Sequence, residues 1–430
     1  MKRGRRFDVV VIGTGTAGLV AAIRLAQSGA RVCVLAKGVG STHLAPGTID
    51  VLGYLAEVGD SPAERVDSPA AGIVRLAAER PDHPYTRMAD GVVEESLRWF
   101  TETAAAGPYP DYGYEGGVDR NFSLPTAIGA LKPSALVPMT FAAGDATGLS
   151  GVCIVGTPAL RDFHSGLCAA NLVAAGIDAR AVELDIETDR ADATTVGLAR
   201  TLEDPKRRAE LCARLSALLG AEEHVGLPTI LGLRDPATVH ADLERRLGRR
   251  VFEIPTLPPS VSGIRLYEIL RTALRAAGGR HVLGAEVVEC GREGDRILSV
   301  ATESGGNDVF YEADWFVLAS GGLGSGAIEI DSHWVTREKV MGLELAGVPG
   351  DGEARFIGNY LAEQPMSRAG VKVDGELHAQ GLANVLVAGA ALPGAVPWRE
   401  ASGEGVALAS GYRAAQIVAE SASTGKEAVA

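Results

Sequence analysis

The feature that most constrains this chain is its opening, FDVVVIGTGTAGLVAAIRLAQSGARVCVLAKG, residues 7–38. An almost wholly apolar run from Phe7 to Ile12 meets Gly13-x-Gly15-x-x-Gly18. A stretch from Thr16 to Ser28 follows, with Leu19, Ala22, Ile23 and Ala26 recurring on one helical face, and Gly29 stops it. A second apolar run covers Arg31 to Ala36. Strand, Gly-rich turn, helix and parallel strand in this order open a dinucleotide-binding fold. Gly13 permits the tight turn, Gly15 lets a pyrophosphate approach the backbone, and Gly18 lets the helix pack close to the strand. The phosphates then lie on free N–H groups at the helix N-terminus. One position departs from the pattern. The second strand of such a unit normally ends on an Asp or Glu that accepts from the adenosine ribose, and here that position is Ala36.

Composition narrows the field. At 430 residues the chain is too long for one ordinary core, and 46% hydrophobic with 22% charged residues is a globular balance. A net charge of −13 leaves no basic footprint for nucleic acid. The five cysteines are odd in number and form no CxxC, which argues against a disulfide framework or an iron–sulfur site and fits a reducing cytosol. The eight histidines show no metal-ligand spacing, so no metal site is expected. No GxSxG elbow or Ser–His–Asp set supports hydrolase chemistry. MKRGRR before an apolar run mimics a secretory or twin-arginine signal, but Gly13, Gly15 and Gly18 interrupt that run. No uninterrupted run of about 18 apolar residues predicts a membrane-spanning helix.

Further along, a Gly/Ser/Thr loop, KGVGSTHLAPGTID, is followed by the polar, Pro-containing GDSPAERVDSPAAG, a helix near Gly91 to Ala105, and a Gly/Pro-rich stretch from Gly107 to Asp145 without clear periodicity. From Gly151 to Ile254 strands and helices alternate again without a Gly fingerprint, predicting a smaller inserted α/β unit. A helix is expected over Gly263 to Ala277, then a β-meander in AEVVECGREGDRILSVATESGGNDVFYEAD. WFVLASGGLGSGA is a buried strand running into a Gly turn, and NVLVAGAALPG and EASGEGVALASGYRAAQIVAE form a closing strand and helix. The expected class is α/β: an interrupted Rossmann-like fold with an inserted smaller α/β domain and a β-meander. Its expected domains are residues 1–60 plus 255–430 for nucleotide binding, an irregular excursion or cap over 61–150, and the insertion over 151–254.

The missing acid lowers the expectation of NAD, which depends on it. Lys37 is a candidate cofactor contact whose competing role is a solvated rim charge, while Ser41 and Thr42 offer hydroxyls for flavin phosphate or ribityl oxygens. The stretch VLAKGVGSTHLAPG resembles the fumarate reductase, succinate dehydrogenase and aspartate oxidase flavoproteins, where a Ser-Lys pair replaces the acid. In that comparison the covalent-flavin histidine falls on Thr42, with His43 one position away, which implies a non-covalent flavin. Trp315 to Gly326, with Ser320, Gly321 and Gly322, resembles the strand and turn passing the adenine side of FAD. Asn384 to Ala415, with Gly389, Gly403 and Gly405, resembles the C-terminal flavin motif, although its usual acid is replaced by Ala390. Gly403 and Gly405 open a helix whose N–H groups would face negative charge on a reduced flavin.

EIPTLPPSVSGIRLYEIL, VLASGGLGSGAIEID and EQPMSRAGVKVDGELHAQGLANVLVAGAALPG narrow the resemblance to the B-type subunits of the anaerobic, quinone-linked glycerol-3-phosphate dehydrogenases, over nearly the whole chain. That resemblance implies oxidation of sn-glycerol 3-phosphate to dihydroxyacetone phosphate by an assembly. It also implies an A-type partner subunit and an iron–sulfur C-type subunit that anchors the pair to the membrane. The family is described as using FMN in the B-type subunit, whereas a pyrophosphate-binding turn argues for FAD; FAD is the expectation and FMN the alternative. Candidate catalytic residues are Arg265, for a substrate phosphate or flavin O2, and Arg399, for an anionic flavin; an ion pair is the competing role for each. Pro258-Pro259-Ser260 is expected to form a rigid turn with Ser260 capping the helix region. Two further readings stay open: a stand-alone flavin enzyme of the fumarate reductase type, and a non-catalytic nucleotide-binding subunit.

Overall fold

The structure is a computed structural model that describes residues 5–55, 63–186, 193–304, 307–350 and 352–427. The opening unit folds as its pattern requires. The strand Arg5–Ile12 leads into the helix Thr16–Gln27, and Val32–Ala36, buried along its whole length, returns parallel to the first strand. These strands join a seven-stranded sheet. In order across it lie Arg280–Leu283, Val32–Ala36, Arg5–Ile12, Asn307–Leu318, Arg296–Ser304 and Val287–Glu293. Val385–Val387 joins the same sheet, parallel to Phe316–Leu318.

Asn307–Leu318 explains how one chain supports both a meander and a nucleotide sheet. Its first half pairs antiparallel with Arg296–Ser304, and residues along its length run parallel to the first strand, from Arg5↔Tyr311 to Ile12↔Leu318. The expected meander strand and the expected inner strand at WFVLAS are therefore one element. The fold is interrupted as expected: the closing strand and the helix Gly403–Glu427 return from the far end of the sequence to cover the opening unit. That helix approaches the first helix closely because Gly411 has no side chain; a Cβ there would lie 2.3 Å from the carbonyl oxygen of Ala17. Asn384 ties the closing strand to the meander, accepting from Ile297 N and donating to the carbonyls of Ile297 and Asp314.

A second, four-stranded parallel sheet holds Ala179–Glu183, Val152–Gly156, His224–Pro228 and Arg250–Ile254 in that order, around its own core of Leu172, Leu198, Leu215, Leu243 and Phe252. The stretch 107–145, which lacked periodicity, forms short antiparallel pairs, Tyr114–Gly116 with Leu136–Pro138 and Phe122–Pro125 with Leu131–Ser134. Several elements went unread, among them one helix and one edge strand. The helix Pro69–Glu79, capped by Ser68, lies in the supposed polar excursion. The edge strand Arg280–Leu283 follows the helix Val261–Ala276 after only a short turn.

The PTLPPSVSGIRL stretch joins the two sheets. Ser260 caps the helix Val261–Ala276 by accepting from Gly263 N at 3.0 Å, and its hydroxyl donates to Ala45 O at 2.6 Å. Ser262 donates to Pro46 O at 2.6 Å. A Cβ on Gly263 would lie 2.6 Å from the carbonyl oxygens of both Thr42 and Ala45. Only glycine lets this helix end press on the loop after the second strand, so the stretch fixes that loop's course.

Candidate functional site

At the C-terminal ends of the parallel strands, where ligands gather in such sheets, lies a cleft of about 520 Å³. The Gly turn forms its floor. Gly13 has φ +115°, and a Cβ there would sit 2.1 Å from Ala319 O, so the turn presses directly on the end of Asn307–Leu318. A Cβ on Gly18 would sit 2.1 Å from Gly13 O, which closes the helix onto the turn. Gly15, by contrast, meets nothing within 4 Å; its missing side chain leaves space in the cleft. This arrangement fits a pyrophosphate laid over the turn. One unsatisfied group supports the fit: Ser320 lines the cleft and its buried Oγ has no hydrogen-bond partner.

Of the residues assigned to cofactor binding by sequence, Gly13, Gly15, Lys37, Ser41, Ser320 and Gly321 line this cleft together. The others stand behind it. Gly18 serves packing. Thr42 is buried with its Oγ1 3.3 Å from Thr16 Oγ1. A Cβ on Gly322 would meet Ala390 O at 2.4 Å. Gly389 donates its N–H to Ser410 Oγ at 2.8 Å. Gly403 begins the last helix but does not line the cleft. Gly405 donates its N–H to Asp50 O at 2.9 Å, so that helix-end donor is already used within the protein.

The two arginines expected to act chemically lie elsewhere. Arg265 is completely buried and forks onto Glu253, with Nη1 at 2.7 Å from Oε2, while its Nε and Nη2 donate to Gly232 O. Burial works against the charge, but Glu253 opposite it more than compensates and raises the guanidinium above its usual range. Its planar fork thus locks the helix Val261–Ala276 to the second sheet, the ion-pair role weighed against catalysis. Arg399 donates to Leu361 O at 3.3 Å and stacks on Trp398. Its neighbour Glu400 is buried among His83, Arg80 and Ser402, a cluster that no spacing in the sequence predicted.

Lys37, Glu286 and Lys339 form an ion triad on the rim of the cleft. Lys37 Nζ lies 3.0 Å from one Glu286 oxygen and Lys339 Nζ 3.1 Å from the other. The hydrogen bond from Lys37, then that from Lys339, holds this carboxyl below its usual range. Glu286 and Lys339 were missed because the edge strand that brings Glu286 there was missed.

Glu404, in the first turn of the last helix, has a buried Oε2 without a partner, and burial raises its carboxyl above the usual range. The neutral form is thus favoured in the folded protein, and its ionisation costs stability as pH rises above the unfolded value near 4.5. Glu404→Gln is expected to melt higher than wild type at pH 8 and at the same temperature once pH falls below about 4; melting curves across that range check this. A gap independent of pH would mean the carboxyl is not the cause.

Residues 8–406 match the family model described as an FAD binding domain. Among curated proteins, the probable B subunit of the anaerobic glycerol-3-phosphate dehydrogenase of Halobacterium salinarum is 34% identical, with 96% of this chain and 98% of that protein covered. The B subunit of the anaerobic glycerol-3-phosphate dehydrogenase of Pectobacterium carotovorum is 30% identical at the same coverage. Among solved structures, a 3-ketosteroid delta1-dehydrogenase from Sterolibacterium denitrificans matches at 18% identity and a TM-score of 0.35, over 74% of this chain and 48% of that chain. This chain thus spans about half of that larger enzyme. The E. coli quinol fumarate reductase FrdA matches at 9% identity and a TM-score of 0.45, over 98% of this chain and 71% of that chain.

Proposed function

Because the chain belongs to the FAD binding domain family and to the family of the B subunits of anaerobic glycerol-3-phosphate dehydrogenase, we propose that it is the flavoprotein subunit of such an assembly, which oxidises sn-glycerol 3-phosphate to dihydroxyacetone phosphate. The observation that carries the reading is the Gly13–Gly15 cleft with its orphaned Ser320 hydroxyl, set in a chain of which 96% matches the Halobacterium salinarum relative. A bound flavin supplies the two-electron chemistry of an alcohol oxidation. The protein's own part is to hold it. Gly13 and Gly15 present backbone to the pyrophosphate, the first helix adds its N-terminal dipole, and Ser320 and Ser41 offer hydroxyls.

A stand-alone enzyme of the fumarate reductase type would need an arginine clamp on its substrate. Arg265 and Arg399 do not meet, and Arg265 is spent on Glu253. This favours the subunit reading, in which substrate contacts come from an A-type partner and electrons leave through an iron–sulfur, membrane-anchoring partner to quinone. Among the described residues no helix is long and apolar enough to cross a membrane. The test is the visible spectrum of the purified protein under anaerobic sn-glycerol 3-phosphate. Bleaching of the flavin band is expected when the A-type partner is added and not before. Full bleaching by this chain alone would overturn the subunit reading in favour of the stand-alone enzyme, and a protein that takes up no flavin would favour a structural role in the assembly.

A further inference from the structure

Ala36 ends the second strand where a ribose-binding acid belongs, and a methyl group accepts no hydrogen bond. The neighbouring strand brings a carboxylate to the same place. Arg280–Leu283 runs parallel to Val32–Ala36 with Leu283 opposite Ala36. The pairing continues past the strand end, because Ala285 N donates to Ala36 O at 2.9 Å. Glu286 is the next residue. It is pinned by backbone beside position 36, although 249 residues separate it from Lys37. It lines the same cleft as Gly13, Gly15 and Ala36.

We propose that Glu286 replaces the missing acid and accepts hydrogen bonds from the adenosine ribose hydroxyls of the bound dinucleotide. This rests on the FAD reading above.

The two lysines explain how an exposed carboxylate becomes a defined acceptor. Lys37 approaches from the second strand's end. Lys339 reaches Oε1 from a separate segment, tied down by its own N–H to Ala327 O at 2.9 Å. Together they keep Glu286 ionised and fix its plane. A carboxylate offers about four acceptor positions, and the lysine contacts at 3.0, 3.1 and 3.2 Å leave capacity for a vicinal diol. The triad carries two positive charges and one negative. Its net positive charge suits a rim beside a pyrophosphate, and the carboxylate between the lysines disfavours a second phosphate on the ribose. A plain surface ion triad, by contrast, would sit anywhere on the surface and owe nothing to the cleft.

The test uses apoprotein titrated with FAD, with FMN, and with FAD lacking the adenosine ribose 2′-hydroxyl, followed by flavin fluorescence. Glu286→Gln keeps the shape and removes the charge. Loss of hydrogen bonds to a charged acceptor is expected to weaken FAD binding about 10- to 100-fold, with FMN binding unchanged, since FMN has no adenosine. Wild type should lose a similar factor on the 2′-deoxy analogue, and Glu286→Gln should lose little more. The variant's melting temperature, expected within a degree or two of wild type for a surface pair, separates a binding loss from misfolding; a variant that misfolds is replaced by the wild-type comparison of FAD with its 2′-deoxy analogue. Equal FAD affinity in variant and wild type, or an unchanged affinity for the 2′-deoxy analogue, overturns the role of Glu286 and leaves the FAD site standing. Wild type that binds FMN but not FAD overturns both.

Discussion

Gly15→Val is expected to give a folded protein that purifies without flavin. The backbone at Gly15 has φ −71° and ψ 179°, ordinary extended geometry for any residue. A Cβ there meets no atom within 4 Å, so the protein has nothing to collide with. The cost to the fold is limited to a poorer helix cap, about 1 kcal/mol. The space that valine fills is the floor of the cleft, where a pyrophosphate must come within hydrogen-bond distance of the backbone. Flavin affinity is therefore expected to drop by more than about 100-fold, the size of losing several charge-assisted hydrogen bonds. Gly13→Ala makes the instructive contrast. At φ +115° and 2.1 Å from Ala319 O, its methyl group has nowhere to go, and that variant is expected to be insoluble or strongly destabilised. Absorbance at the flavin band per protein after gel filtration, with a melting curve beside it, checks both. Flavin retained by folded Gly15→Val would mean that the pyrophosphate lies elsewhere.

Arg265→Met is expected to destabilise the protein by about 3–5 kcal/mol, because it leaves Glu253 buried and uncompensated. Glu253 keeps Thr140 Oγ1 at 2.7 Å and Leu231 N at 2.7 Å, which satisfy lone pairs but not the charge. Adding Glu253→Gln should recover part of the loss. Arg265→Lys should not restore it fully, since one ammonium cannot reach both Glu253 and Gly232 O as the planar fork does. Denaturant unfolding measures these changes. Whatever fraction stays folded should still bind flavin, because Arg265 does not line the cleft. A fully stable Arg265→Met that had lost only turnover would restore the catalytic role.

The opening unit was legible in the sequence because its three glycines, its apolar runs and its helical face all answer to local geometry. Gly13, Gly15, Ser320 and Gly321 met in one cleft for a related reason: each follows the end of one of two neighbouring parallel strands, Arg5–Ile12 and Asn307–Leu318. Arg265 could not be read, because a buried arginine and a substrate-binding arginine look alike until Glu253 is seen opposite. The internal bonds of the glycines near the C-terminus could not be read either, since Gly389 and Gly405 donate to Ser410 and Asp50, contacts that depend on tertiary packing. Glu286 was invisible for a different reason. Arg280–Leu283 is four residues long and half exposed, with too little alternation to register as a strand, and its importance comes only from pairing with Val32–Ala36. The apparent defect at Ala36 is a property of one strand, and its remedy lies on the next.

The most direct test of flavin binding at this cleft is the mass of the flavin released when the purified protein is denatured by acid. The Gly13–Gly15 turn is shaped for a pyrophosphate, and Thr42 offers no covalent anchor. One FAD per chain is expected, freed completely and leaving a colourless protein. Release of FMN, or a flavin that stays attached to the chain, would contradict this.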